Sequence, residues 1–397
     1  MDLSARAPSR ARRLRDPPHR REGCTPRIRT PAPARIRERE ERPSTAAVTR
    51  TGFARRQPSA TAEGEKGAEG QDGRLITRAA LRHPGNECHP GDKAALLAIK
   101  SAFGNASYFN SWTPATPCCE WANVSCDGSA SPYTARRVVG VSLVNDASLA
   151  GPLPGAAIAR LTALQQLVLN YVPGVNGTIP RDLTRLNATL SFLDIISTGI
   201  SGPVPSFLSE ITALSYLSLS SNKLTGPIPA SLGDMPNLYF LDLGYNRLTG
   251  TIPHQLLRKA SYLYLSHNKL TGSVPAEFAA VNFWTIDLSY NGFKGDASFL
   301  LGANKPLLNL DLSHNAFSFN LSAVQLPEGL NSLELSHNDI YGDIPEMVVD
   351  MMLNYLNVSY NRLSGVVPAG GNMAWFDQSC FQHNKGLCGS PLPPCKQ

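Results

Sequence analysis

Five carboxylates stand out for their placement: Asp194, Asp242, Asp287, Asp311 and Glu334 each lie between two large apolar residues. In a strand, alternation of this kind puts the middle side chain on the face opposite its neighbours. Two carboxylates on one face can act as acid and base on a glycosidic bond, and a column of them can attract a basic partner. The catalytic reading is the weaker, because equivalent positions elsewhere hold Ser142, Val168, Ser218, Tyr264 and Asn357. The acids are therefore variants of a repeated frame. The sequence contains no HExxH, GxSxG, P-loop or GxGxxG motif, and the expectation is a binding protein, not an enzyme, with no cofactor. His267, His314 and His337 recur at another frame position without a carboxylate-rich shell. Zinc needs three or four converging ligands, so no metal site is expected.

Sulfur chemistry points outside the reducing cell. Cys88, Cys118, Cys119 and Cys126 cluster before the repeated region, and Cys380, Cys388 and Cys395 after it; Cys24 is the eighth. Neither cluster pairs two CxxC units, so disulfides in an oxidising compartment are expected. Asn-x-Ser/Thr sequons at Asn105, Asn123, Asn176, Asn187, Asn320 and Asn357 agree with secretion. No secretory leader pattern is visible at the start of the chain. Residues 1–86 instead hold 20 of the 37 Lys+Arg and 10 of the 31 Asp+Glu. They are rich in Arg, Pro and Gly, and such a segment is expected to be disordered. It reads as a mis-assigned start, or alternatively as a basic arm for nucleic acid, membrane or import. The remaining residues carry 17 basic and 21 acidic groups, so the basic pI belongs to the tail and no nucleic-acid partner is expected. No stretch approaches the length of a transmembrane helix.

The elements that must position these groups are repeats. TALSYLSLSSNKLTGPIPASLGDM (212–235) and PNLYFLDLGYNRLTGTIPHQLLRK (236–259) are 24-residue copies, and ten copies of the frame occur over 137–378. Leu217 and Leu219, Leu241 and Leu243, or Leu310 and Leu312 give the period-2 signature of a short half-buried strand. Asn222, Asn246, Asn268, Asn291, Asn315, Asn338 and Asn361 follow, and stacked amides at the strand ends predict a hydrogen-bonded ladder. The Gly-x-Ile-Pro step sets an extended return path. One unit cannot bury its own apolar face, whereas ten stacked units make a continuous core. GDASFLLGANK and FNLSAVQLPE, in the seventh and eighth copies, lose the Ile-Pro step, and their return paths should differ. The sixth copy is short before its strand (KASYLYLS). The stretch CHPGDKAALLAIKSAF predicts an amphipathic capping helix that buries Leu96, Leu97, Ile99 and Phe103.

On ECHPGDKAALLAIK, SWTPATPCCEWANVSCD, the LxxLxLxxNxLxGxIP repeats and the tail PAGGNMAWFDQ … NKGLCGSPLPPC, residues 87–397 resemble plant polygalacturonase-inhibiting proteins. The resemblance implies an α/β solenoid, a right-handed leucine-rich-repeat superhelix of about ten 24-residue repeats with disulfide-stapled caps. The expected organisation is a tail (1–86), an N-terminal cap (87–136), repeats (137–378) and a C-terminal cap (379–397). It further implies the pairs Cys88–Cys118, Cys119–Cys126 and Cys388–Cys395. A second C-terminal pair of the family is replaced by Ser364 and Gly386, and Cys24 and Cys380 have no family partner. The implied function is a secreted, monomeric inhibitor of pathogen polygalacturonases in the plant cell wall; the alternatives are a receptor-like recognition module or a pectin-binding wall protein.

Partner contacts are expected on the concave strand face, from Asp194, Tyr216, Ser218, Phe240, Asp242, Tyr262, Tyr264, Asp287, Asp311 and Glu334, with Phe192 and Tyr355 beside them. Asp287, Asp311 and Glu334 should stand about 4.8 Å apart as an exposed column, each pair repelling by about 0.9 kcal/mol in water. Lys223, Arg247 and Lys269, with Arg362 farther on, form a second column that could hold pectin, as family members do at similar positions.

Overall fold

The computed structural model describes residues 24, 88–128, 135–256 and 261–396. The expected disorder of residues 1–86 falls outside these, apart from Cys24, as does residue stretch 257–260 before the sixth strand.

Alternating LxL triplets become short strands that stack in sequence order. Among the described residues, Val124–Cys126 pairs antiparallel with Val138–Val144. Nine parallel strands follow: Gln166–Asn170, Phe192–Ile196, Tyr216–Ser218, Phe240–Asp242, Tyr262–Tyr264, Thr285–Asp287, Asn309–Asp311, Ser332–Glu334 and Tyr355–Asn357. The register keeps the frame, with Leu217 beside Leu241, then Leu263, Ile286, Leu310, Leu333 and Leu356. All seven are at most 1 % exposed. Each such burial contributes about 1.5–3 kcal/mol, but only when a neighbouring coil covers it.

Asparagine closes each coil. Asn246 Nδ2 donates to the carbonyl oxygens of Leu219, Leu243 and Gly244 at 2.9–3.1 Å, and its Oδ1 accepts from Leu224 N at 2.9 Å. The expected ladder is present, and it runs one rung further than the sequence reading, to Asn384, whose Nδ2 donates to Val358 O and Phe381 O. The C-terminal cap thus begins as a further coil of the same solenoid. The residue before each ladder Asn turns the chain through the left-handed region, from Tyr245 (φ 53°) to His383 (φ 61°).

The return path is more ordered than Gly-x-Ile-Pro alone suggests. Eight short strands, from Ala150–Pro152 to Ala316–Phe317, form a second parallel sheet. Gly250 leaves that sheet at φ 82°, which a side chain would strain, and Pro then directs the chain into a 3₁₀ turn such as Ala230–Asp234. As expected, the seventh and eighth copies differ: their turns shrink to Ser298–Leu300 and Leu321–Ala323. The second sheet stops there, and a separate three-stranded sheet of Tyr341–Asp343, Arg362–Val366 and Gly386–Cys388 takes over.

Both ends are capped. Helix Pro90–Ala102 starts with Pro at its first position and with His89 Nδ1 accepting from Gly91 N, an arrangement suited to a helix start. Leu96, Ile99 and Phe103 are buried, and Leu97 packs partly against them. Asp92 is 1 % exposed and accepts from Arg137 Nε, Arg137 Nη2 and Val138 N at 2.9–3.0 Å, locking the helix to the first repeat. The three disulfides are those the resemblance implied, Cys88–Cys118, Cys119–Cys126 and Cys388–Cys395. Ser364 and Gly386 face each other in register.

Candidate functional site

The acid column is real but not freely exposed, which corrects the sequence reading. Asp194, Ser218, Asp311 and Glu334 are buried (4 % exposure at Glu334), while Asp242 and Asp287 are half-buried. Sequence shows which face a residue takes, whereas its exposure depends on neighbours across strands. Asp287, Asp311 and Glu334 do stand in consecutive register. Their mutual repulsion is met locally. Asp287 Oδ1 accepts from Ser289 N (3.0 Å) and Oγ (2.6 Å), and Asp311 Oδ1 accepts from Ser313 N (3.0 Å) and Oγ (2.7 Å). Glu334 Oε1 accepts from Ser336 N at 2.9 Å, and its Oε2 from Tyr355 OH (2.5 Å) and Asn357 Nδ2 (3.1 Å). The Asp-Leu-Ser frame therefore carries a built-in donor for its own carboxylate, two residues on, and this fixes each carboxylate's orientation.

Toward the N-terminal end, the charge is harder to hold. Asp194 is pushed up to about 6, by burial first and by the charge of Asp242 second, against the Ser218 hydroxyl. Its Oδ1, like that of Asn170, is a buried acceptor with no donor among the described residues. Burial also raises Asp242. Beside these acids an aromatic row runs down the strands. Phe192, Tyr216 and Phe240 stack at 4.0 and 4.1 Å, and Phe240 then meets Tyr262 and Tyr264 at 5.9 and 5.5 Å. Tyr216 is pushed up to about 12 by burial and by Asp194 and Asp242, so it stays a phenol and a hydrogen-bond donor.

A second ring row was missed in the sequence. Tyr245, His267, Tyr290, His314, His337, Tyr360 and His383 stack one on the next at 4.0–4.2 Å. These are the left-handed residues before the ladder asparagines, so the three histidines noted above are spaced along a stack and do not converge on a point. The signal was present as a ring in the same frame position of consecutive copies. Each stacked pair contributes about 0.5–1.5 kcal/mol, which offsets the left-handed backbone. Burial first, then His337 and His267, lowers His314 to about 4, and burial lowers His337 as well. Between this row and the acids lies a groove of about 310 Å³, lined by Asp287, Asp311, Glu334, His314, His337 and Tyr355 among others.

Lys223, Arg247 and Lys269 are exposed at the starts of second-sheet strands, away from the acids. They do not sit side by side: Arg247 is opposite Thr225, and Lys269 opposite Thr249. Arg362 differs from them, being bound to Asp339 O and Ser318 Oγ. Of the sequon residues, Asn105, Asn123, Asn176, Asn187 and Asn320 are exposed. Asn357 is half-buried on the strand face, with Oδ1 accepting from Ser359 and Nδ2 donating to Glu334. Among the described residues, no helix is long and apolar enough to cross a membrane.

Comparison with known proteins accounts for the scaffold. A family profile described as "Leucine rich repeat N-terminal domain" matches residues 89–127, and "Leucine Rich Repeat" matches 213–235, 237–258 and 260–280. A polygalacturonase inhibitor of Pyrus communis is 43 % identical over 78 % of this chain and 92 % of its own. The leucine-rich repeat protein FLOR 1 of Arabidopsis thaliana is 44 % identical over 78 % of this chain and 93 % of its own. Among solved structures, a plant ice-binding protein superposes with a TM-score of 0.74 at 42 % identity, covering 78 % of this chain and 99 % of that one. With polygalacturonase inhibitors of three further sources matching at 39–42 % identity over most of their length, the chain belongs to the polygalacturonase-inhibitor family of plant leucine-rich-repeat proteins.

Proposed function

We propose that this protein is an extracellular inhibitor of fungal or insect endopolygalacturonases in plant defence, acting by covering the enzyme with its strand face. The observation that carries the reading is the match to polygalacturonase inhibitors at 41–43 % identity over 78 % of this chain. The geometry supplies a mechanism. An enzyme that handles an anionic polymer needs basic groups in its cleft, and oriented carboxylates on a rigid wall can engage them. Asp242 and Asp287, the half-buried acids, are the charged contacts; Asp194, Ser218, Asp311 and Glu334 are the more buried positions of the same face. Tyr216, Phe240, Tyr262 and Tyr264 provide rigid anchors, as Tyr commonly does at interfaces. The protein acts as a monomer in the cell wall and catalyses no reaction itself. Lys223, Arg247 and Lys269, exposed on the second sheet, bind pectin on the flank in this reading and leave the wall open. Glycans fit at Asn105, Asn123, Asn176, Asn187 and Asn320, whereas one at Asn357 would break the bonds that orient Glu334.

The test is inhibition of reducing-sugar release from polygalacturonate by a panel of fungal and insect endopolygalacturonases. Dose-dependent inhibition of any member is expected. Silence across a broad panel by folded protein would instead favour a receptor-like module, a reading supported by likeness to the PEPR1–AtPEP1 complex (TM-score 0.56, 27 % identity).

A further inference from the structure

Cys24 and Cys380 lie outside the three disulfides, and neither has a counterpart in the cap pattern. The fold nonetheless brings them together. Cys24 Sγ lies 3.6 Å from Ser379 Oγ across 355 residues of sequence, and the Cys380 thiol donates a hydrogen bond to Cys24. Both are buried, Cys380 fully and Cys24 to 7 % exposure, and both join the apolar core. Cys24 also lines the end of the groove beside Glu334, Tyr355 and Asn357. A pair of buried thiols in mutual contact is unusual company for three formed disulfides, since the oxidising compartment that makes three would act on the fourth pair. In the same cap Ser364 and Gly386 face each other in register, at the positions where the resemblance implied a bridge.

We propose that Cys24 and Cys380 form a fourth disulfide in the secreted protein, fastening residue 24 to the C-terminal cap at the end of the acidic wall. The oxidant is a small or protein disulfide, R–S–S–R. The Cys24 thiolate attacks one sulfur of this donor, forming Cys24–S–S–R and releasing RS⁻. Cys380 then loses its proton and attacks Cys24 Sγ, expelling the second RS⁻, which takes that proton. Two protein thiols become one disulfide, and the donor becomes two thiols. The order follows from access: Cys380 is fully buried, so the oxidising equivalent must arrive on Cys24. The hydrogen bond from Cys380 also lowers the Cys24 thiol, and so favours the nucleophilic thiolate.

The test uses the full chain recovered from a secretory host, alkylated under denaturing conditions without reduction, digested with trypsin and mapped by mass spectrometry. The expected product is peptide 22–27 joined to peptide 363–385, lost on reduction, with no alkylated cysteine. Cys24→Ser should then yield one alkylated thiol per chain, on Cys380. Recovery of the two wild-type peptides separately alkylated from folded protein would overturn the proposal. So would a mature chain that lacks residue 24, or a Cys380 found joined to another cysteine.

Discussion

A carboxylate in the Asp-Leu-Ser frame serves two ends: one oxygen is tied to the serine two residues on, and the whole group faces the wall. Reversing charge at Asp311 or Glu334 would confuse the two, because both are buried. Asp287 is half-buried and in register with them, so Asp287→Asn is the cleaner probe. It keeps the size and the carbonyl acceptor for Ser289, removes one charge, and should weaken inhibition about tenfold, equal to about 1.4 kcal/mol. Unchanged potency with an unchanged melting curve would remove the acid column from the interface. Two residues should also shape stability with pH. Asp194 binds its proton more tightly folded (about 6) than unfolded, so stability should fall as pH rises from about 4 to about 6. His314 binds its proton less tightly folded (about 4), so its share of stability should be lost as pH falls from about 6.5 to about 4. Asp194→Asn should flatten the first slope and His314→Tyr, which keeps a ring in the stack between Tyr290 and His337, the second. Urea midpoints from pH 4 to 8 check both; wild-type slopes in either variant would show that these groups are better solvated than their surroundings imply.

At the scale of elements, the C-terminal cap offers a test at Ser364 and Gly386, the positions where the resemblance implied a further bridge. A Cβ on Gly386 would lie 2.8 Å from Ser364 Cβ and 2.9 Å from Ser364 Cα. A disulfide needs about 3.8 Å between Cβ atoms, so the strands must part by about 1 Å. Gly386→Cys alone should therefore destabilise the cap, and the oxidised Ser364→Cys/Gly386→Cys pair should recover that loss and add about 2–4 kcal/mol. Urea midpoints with and without reductant measure the difference; a double variant whose thiols stay alkylatable would show that the strands do not give. The elements were largely legible because a repeated frame states its strand, ladder and return path ten times over. The second sheet was not, since Leu-Thr-Gly on the return path carries no alternation and pairs only because identical copies stack. The ring row left a signal, a ring at one frame position in consecutive copies, but its stacking depends on the left-handed turn, which that position does not announce. The burial of Asp194 and Glu334 was hidden for a related reason: it arises between coils, not within one.

Over the whole molecule, charge is divided: residues 1–86 carry twice as many basic as acidic groups, 20 against 10, and the remainder carries 17 basic and 21 acidic. If the wall meets a basic cleft, association should be electrostatically steered, and steering acts on the on-rate and fades with salt. The on-rate for a polygalacturonase that the protein inhibits should drop about tenfold between roughly 0.05 and 0.5 M salt, where the Debye length falls from about 14 Å to about 4 Å, with the off-rate changing little. The basic first segment opposes this attraction, so a chain of residues 87–397 should associate faster than the full chain at low salt, and the two should converge at high salt. Surface-plasmon measurements on both chains separate the contributions. A salt-independent on-rate for both would mean that the aromatic row at Phe192, Tyr216 and Phe240 provides the recognition and that the carboxylates serve the solenoid alone.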